Sequence, residues 1–227
     1  MALAFWKKYR HGTLIVAYMI FYLAAFHYLE TRQVYAYHVV HTIFDDFIPF
    51  EEIFIVPYLL WFPFIAVTMG YFVFFRPKED YYRLAANLVM GMSIFLLVSY
   101  LYPNILQLRP YEFPRENIFT ELVRKLYQTD TPTNVLPSIH VFNSIACSLA
   151  FFHDKELRKI KWLQIGSITL TVSIILATMF LKQHSVLDVC LGIAMAFLGY
   201  LLFYLQDSTE NSYELAYVAA GRGPKGV

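Results

Sequence analysis

Six apolar stretches, at residues 13–29, 53–75, 84–102, 136–152, 162–181 and 186–205, constrain this chain more than any other feature. Each is close to the ~20 residues that an α-helix needs to cross the ~30 Å hydrocarbon core of a bilayer. Lipid offers no partner to a backbone N–H or C=O, so such stretches resolve as helices rather than open strands. Hydrophobic residues make up 58% of the 227 and charged residues 15%, whereas soluble domains run near 45–50% apolar and about 25% charged. A water-facing core cannot absorb that surplus. The expected fold class is therefore all-α: a polytopic membrane helix bundle with six transmembrane helices in one membrane domain, residues 1–206. A cytoplasmic tail at 207–227, with Gly221, Gly223, Pro224 and Gly226 near its end, is expected to be disordered. Lys7, Lys8 and Arg10 resemble the start of a signal peptide, but Phe26, His27 and Tyr28 stand where small residues would mark cleavage, so the first stretch reads as retained. Pro57 and Pro63 are expected to kink the second.

Orientation follows from the distribution of Lys and Arg. The side that holds both termini collects Lys7, Lys8, Arg10, Arg76, Lys78, Arg83, Lys155, Arg158, Lys159, Lys161, Arg222 and Lys225, against Arg32, Arg109, Arg115, Arg124, Lys125 and Lys182 on the other. The termini are thus expected in the cytoplasm and the loop at 103–135 outside the cell membrane. A formal net charge of +1 gives no indication of a nucleic-acid partner. Cys147 and Cys190 both fall in apolar stretches and read as small buried hydrophobes rather than a disulfide or a zinc site. Nothing in the sequence fixes an oligomeric state.

Two external segments read as short interfacial helices. In 115–128, Ile118, Phe119, Leu122, Val123, Leu126 and Tyr127 recur at helical spacing, with Glu116, Glu121, Arg124 and Lys125 around the rest of the turn. The second, 35–50, carries His38, His41, Asp45 and Asp46. That set has the residue types of a metal site, but His and Asp are also ordinary interfacial residues, and no metal is expected.

Ionisable groups at the ends of spans are functional hypotheses by default, because each is costly in the membrane. Three clusters qualify: Gln107-Leu108-Arg109-Pro110 after the third stretch, Pro137-Ser138-Ile139-His140 at the start of the fourth, and His184 with Asp188 at the start of the sixth. Pro137 suits a first helical turn, and Ser138 and His140 then lie near free helix N–H groups. His184 and Asp188, four residues apart, share a helix face, so the carboxylate can accept from one ring nitrogen and leave the other free to attack. Each cluster has a plainer reading as well: Arg109 as a snorkelling anchor, His140 as an interhelical hydrogen bond, His184 and Asp188 as a polar cap. All three fall on one expected membrane face, and together they supply a cation, helix-terminal donors and two imidazoles. Such a set suits phosphoryl transfer, in which positive groups neutralise the phosphoryl oxygens, one imidazole attacks and another protonates the leaving oxygen.

The residues Arg109-Pro110, Pro137-Ser138-Ile139-His140 and His184-Ser185-Val186-Leu187-Asp188 resemble the motifs of the type 2 phosphatidic acid phosphatase superfamily, K-x6-R-P, P-S-G-H and S-R-x5-H-x3-D. The resemblance spans roughly residues 12–205. It implies His184 as a nucleophile forming a phosphohistidine, Asp188 as its orienter, His140 as general acid, Arg109 and Ser138 as phosphate ligands, and no cofactor. This chain also departs from the pattern: Tyr102 stands in place of the Lys, Ile139 in place of the Gly, and Ala177-Thr178 in place of Ser-Arg. Were the fifth helix to continue past Thr178, Lys182 would share its face one turn on and could replace the lost Arg. Tyr102 could donate a hydrogen bond but no charge. The site would then hold two cations, Arg109 and Lys182, which suits a singly charged phosphodiester better than a dianion.

The function these readings imply is an integral membrane lipid phosphatase hydrolysing a lipid phosphate or pyrophosphate on the extracytoplasmic side. The alternative is a lipid phosphotransferase resembling sphingomyelin and inositol phosphorylceramide synthases, whose motifs are also abbreviated. A non-enzymatic transporter or scaffold is a second alternative. In either enzymatic case the partners are a lipid phosphate substrate and the surrounding membrane lipids.

Overall fold

The computed structural model describes residues 8–205, so the tail expected at 207–227 lies outside the described residues. Helices follow one another as α1 Thr13–Thr31, α2 Ile55–Phe75, α3 Lys78–Leu101, α4 Ile118–Thr129, α5 Ile139–His153, α6 Lys161–Phe180 and α7 Val186–Phe203. Five of them, α1, α2, α3, α6 and α7, are long and apolar enough to cross a membrane. Their outward faces carry large apolar side chains such as Phe21 on α1 and Phe197 on α7. The expected sixth crossing differs. The fourth apolar stretch is helical only from Ile139 and runs 15 residues, about 22 Å at 1.5 Å per residue, which is short of the hydrocarbon core. Val135 and Leu136 continue the apolar run in sequence but lie before the helix, Leu136 at a bend, their N–H groups donating to Asn104 Oδ1 at 2.8 and 3.1 Å. Pro137 therefore precedes the helix, and Ser138 takes the N-cap.

α5 is the hub of the bundle. α2, α3, α6 and α7 all pack on it, and residues from His140 to Phe151 are buried around its whole circumference. Polar contacts tie it to α6: Ser148 Oγ lies 2.9 Å from Thr171 Oγ1, which also donates to Ser144 O at 3.1 Å. Such interhelical bonds are the usual glue where the surroundings are apolar. Glycines set two close approaches. A Cβ on Gly91 of α3 would meet the ring of Phe142 at 2.0 Å, and one on Gly192 of α7 would meet Ser138 O at 2.8 Å. α2 runs on through Pro63, while Pro57 falls in its first turn, where the missing N–H has no intrahelical partner to lose. At the opposite end from the histidines, Arg76 of the α2–α3 turn clasps Asp154 after α5, Nε and Nη2 donating at 2.5 and 2.6 Å.

The two segments expected to be interfacial helices part ways. The first is α4, capped by Asn117, whose side chain accepts from Phe119 N and Thr120 N at 2.9 and 3.0 Å. Its apolar face, with Val123 and Leu126, packs on Ile55, Tyr58, Ala177 and Leu181, so α4 roofs the ends of α2 and α6. The second is not an α-helix. His38–Val40 forms strand β1, parallel to β2 at Asn104–Leu106, and Ile43–Phe47 is a 3-10 turn. Adjacent β-branched Val39 and Val40 favour the strand, and Thr42 and Asp45 close a reciprocal capping box that starts the tight turn.

Candidate active site

α6 ends at Phe180, and the chain reverses at once. Lys182 adopts a left-handed φ of 51°, and the N–H groups of Gln183 and His184 both donate to Thr178 O, at 2.9 and 3.0 Å. This closes the end of α6 as helix C-termini commonly close. Ser185 then caps α7, its Oγ accepting from Leu187 N at 3.2 Å. Asp188, three residues on, returns a carboxylate oxygen to Ser185 N at 2.9 Å, and the same Oδ2 lies 3.2 Å from His184 Nδ1. One side chain thus completes a helix cap and orients an imidazole. Asp188 is wholly buried and His184 nearly so.

The second imidazole comes from the first turn of α5. Close approach at Gly192 brings Ser138 N within 3.2 Å of Asp188 O, and His140 Nδ1 then stands 3.3 Å from His184 Nε2. The tautomers consistent with both contacts are Nδ1–H on each ring, His184 donating to Asp188 and His140 donating to His184, an assignment made from the network. His140 is buried between aromatic rings, its centroid 4.3 Å from that of Trp61 and 4.8 Å from that of Tyr58. The Tyr58 hydroxyl donates to Asp130 Oδ2 at 2.8 Å.

Arg109 joins this group through the residue before the histidine. Nη2 donates to Gln183 Oε1 at 2.6 Å and to Asp130 O at 2.7 Å, Nη1 donates to Tyr127 O at 3.2 Å, and the guanidinium lies 4.4 Å over the Tyr127 ring. Burial pulls its pKa below the ordinary guanidinium value, opposed by the nearby Asp130. These hydrogen bonds end on neutral oxygens, while the nearby Asp130 carboxylate offsets part of the guanidinium charge. Ser138 is placed differently from the phosphate ligand it resembles: its hydroxyl is fully buried and accepts from Val141 N at 3.4 Å as a helix cap.

Two residues expected at the site lie elsewhere. Because α6 stops before Lys182, that side chain does not share the face of Thr178; Nζ donates to Asp45 O at 2.9 Å and Ile48 O at 2.5 Å. Burial lowers its pKa, with Asp45 and Asp46 opposing. Tyr102, after the end of α3, stacks on His38 with ring centroids 4.0 Å apart. The His38, His41, Asp45 and Asp46 set also disperses: His41 pairs with Asp46 at 2.8 Å on the surface, while Asp45 turns inward. Among the described residues no three His, Cys, Asp or Glu side chains group as a metal site.

Asp45 is the residue that sequence reasoning misplaced. Its Oδ1 accepts from Val186 N at 2.8 Å and its Oδ2 from Ser185 Oγ at 2.6 Å, so it sits on the N-terminus of α7. Burial pushes its carboxyl up, but the hydrogen bonds from Ser185, Val186 and Thr42 outweigh it and hold the pKa below the ordinary carboxylate value. Negative charge at a helix N-terminus is also favoured by the macrodipole. With Lys182 it clasps the 42–48 loop to the His184 turn. Tyr58 and Trp61 were missed for another reason: within an apolar span nothing distinguishes an aromatic that faces a histidine from one that faces lipid. Beside His140 opens a cavity of about 960 Å³ walled by α1, α2, α3 and α5, with Lys125, Thr129 and Asp130 at the α4 end.

An apolar helix bundle with a carboxylate-backed imidazole facing a second imidazole, gathered at one end, defines a polytopic helical membrane protein with a histidine-centred site. The family model of the PAP2 superfamily matches residues 81–212, more than half of the chain, and the chain belongs to that superfamily, whose members are in general phosphatase-type enzymes. The match includes Arg109, Ser138, His140, Lys182, His184 and Asp188 and leaves α1 and α2 outside it. Searches of curated proteins and of solved structures returned no match.

Proposed function

We propose that this protein is a polytopic membrane lipid phosphatase acting through a phosphohistidine at His184, with its site on the extracytoplasmic side. The observation that carries this reading is the series Asp188 Oδ2, His184 Nδ1, His184 Nε2 and His140 Nδ1, with gaps of 3.2 and 3.3 Å at its two contacts. Nε2 of His184 attacks phosphorus and forms the P–N bond while the bond to the lipid oxygen breaks. Asp188 supports the positive charge that develops on the ring, much as a buried carboxylate does in a catalytic triad. His140 acts in the protonated imidazolium form, donating one of its two ring protons to the departing alkoxide and becoming neutral; water then attacks the phosphohistidine, losing its proton to His140 and freeing His184. Arg109 supplies fixed positive charge for the phosphoryl oxygens. The apolar cavity beside His140 supports a lipid as the alcohol portion.

The charge inventory favours a second reading, a phosphotransferase acting on a phosphodiester. With Lys182 committed to Asp45 O and Ile48 O, Arg109 is the one expected cation beside the histidines, and a phosphodiester brings a single charge. Purified protein given a radiolabelled lipid phosphate should yield an acid-labile, base-stable phosphoenzyme that is absent from His184→Ala. Persistence of that adduct in His184→Ala would overturn the nucleophile. Free phosphate as product supports the phosphatase, and a labelled head group on an added lipid alcohol supports the transferase.

A further inference from the structure

The guanidinium of Arg109 reaches two places, the end of α4 and the turn that carries His184. Its bonds to Tyr127 O and Asp130 O fall at the C-terminus of α4, where basic side chains commonly meet the last carbonyls. Those two bonds alone would make Arg109 a cap for α4. The third goes further: Nη2 also donates to Gln183 Oε1 at 2.6 Å, and Gln183 immediately precedes His184. Tyr127 closes this ring of contacts, with its face under the guanidinium and its hydroxyl donating to Leu181 O at 2.8 Å. Gln183 is itself held in place, 3% exposed and with its N–H donating to Thr178 O at 2.9 Å. Because a guanidinium only donates, the side-chain atom of Gln183 that faces Nη2 is the amide oxygen.

The kind of acceptor matters here. A carboxylate in place of the amide would hold Arg109 more tightly through a charge-assisted bond, but it would add its own charge to the offset already given by Asp130. The amide fixes the side chain without cancelling it. We infer that Gln183 is a positioning residue: its amide oxygen aims Arg109 at a phosphoryl group on His184 and leaves the guanidinium charge for the oxygens of that group. The inference rests on the phosphohistidine reading above and adds the contact that brings the cation to the nucleophile. Lys182 does not duplicate it, since its ammonium is committed to Asp45 O and Ile48 O. In the pattern S-R-x5-H-x3-D the residue before the histidine is unspecified, so this contact belongs to the chain's own sequence.

The test measures binding of inorganic tungstate, a tetrahedral oxyanion, to the full-length protein in detergent by isothermal titration calorimetry, for wild type, Gln183→Met and Gln183→Glu. Met matches Gln in length and carries no charge, so its effect reports the lost aim of Arg109 alone. Glu is nearly isosteric and keeps the bond while cancelling the charge. Wild type should bind tungstate, Gln183→Met about tenfold more weakly, the scale of one hydrogen bond to a charged group, and Gln183→Glu more weakly still. Melting temperature in detergent shows whether each variant is folded, and Gln183→Met carries the test if Gln183→Glu is not. A purely structural role would tolerate Gln183→Glu, whose bond to Arg109 is the stronger. Binding equal to wild type in either folded variant, or no binding by wild type, therefore overturns the inference. The phosphoenzyme formed from labelled lipid phosphate is scored separately. Tungstate affinities in the expected order without a phosphoenzyme keep the aim of Arg109 and remove the nucleophile, whereas a phosphoenzyme with unchanged tungstate binding in the variants does the reverse.

Discussion

His184 and His140 touch at 3.3 Å, yet the roles proposed for them predict different failures. His184→Ala should abolish the phosphoenzyme on every substrate. His140→Ala should lose about 10²–10⁴ in rate on a natural lipid and recover much of it on p-nitrophenyl phosphate, whose leaving group needs little protonation. Equal losses on both substrates, measured by phosphate release, would take the acid role away from His140. Asp45→Asn should cost about 2 kcal/mol, the worth of a charge-assisted hydrogen bond at a buried site, read as a lower melting temperature in detergent. The Asp45 pKa is depressed in the folded protein, so its stabilisation is fully present above the unfolded carboxylate pKa and is lost as pH falls through the folded value. The wild-type advantage over Asp45→Asn should therefore shrink on acidification below about pH 4, and an advantage constant with pH would rule out the charge as its source. His184, Asp188, His140 and Arg109 were legible because an i, i+4 pair and cationic or helix-terminal residues at span ends stand out against apolar sequence. Lys182 was misread because its expected role required α6 to continue, and the left-handed turn at that residue sends the ammonium to two carbonyls of the 42–48 loop.

At the scale of elements, the site depends on how nearly α7 approaches the start of α5. Gly192→Val would place a Cβ at 2.8 Å from Ser138 O and 3.0 Å from Val141 Cβ, and the two helices would have to part. Overpacking of this kind typically costs about 1–3 kcal/mol, and the variant should lose at least ~10-fold in turnover, since small misplacements of reacting groups cost rate steeply. Near-normal turnover in Gly192→Val would mean that the histidine spacing is set elsewhere. α4 could be read from its amphipathic period because one face is polar. The segment 35–50 could not, since a three-residue strand shows no period, and its partner, Asn104–Leu106, lies more than sixty residues away. α5 was read too long because Leu136 is as apolar as a span while serving the preceding loop, and Pro137 precedes the helix instead of opening its first turn.

For the whole molecule, the proposed orientation predicts that a cysteine placed at Gln128 reacts with an impermeant maleimide in intact cells and one at Glu156 does not; the reverse pattern would put the histidines on the cytoplasmic side. The proposed mechanism uses Arg109 as its fixed charge, so activity should persist in excess EDTA, and loss of activity restored only by a divalent ion would require a metal in the chemistry. The helical, membrane-type architecture was legible from hydropathy alone. The cavity was not, because helices apolar on every side carry no mark of which face packs and which leaves a gap. The clasp of Asp45 to Ser185 and Val186 joins residues 140 and 141 positions apart, and this bears on how the protein is made. A chain emerges from the ribosome N-terminus first, so the carboxylate is in place long before the helix end it serves. Until the last helix is inserted, Asp45 lacks those partners, His184 is missing and His140 has no imidazole to face. Catalysis on this reading is the last property the growing chain acquires, and a protein stopped short of its final helix leaves the Asp45 carboxylate with its Thr42 contacts alone rather than a half-built phosphatase.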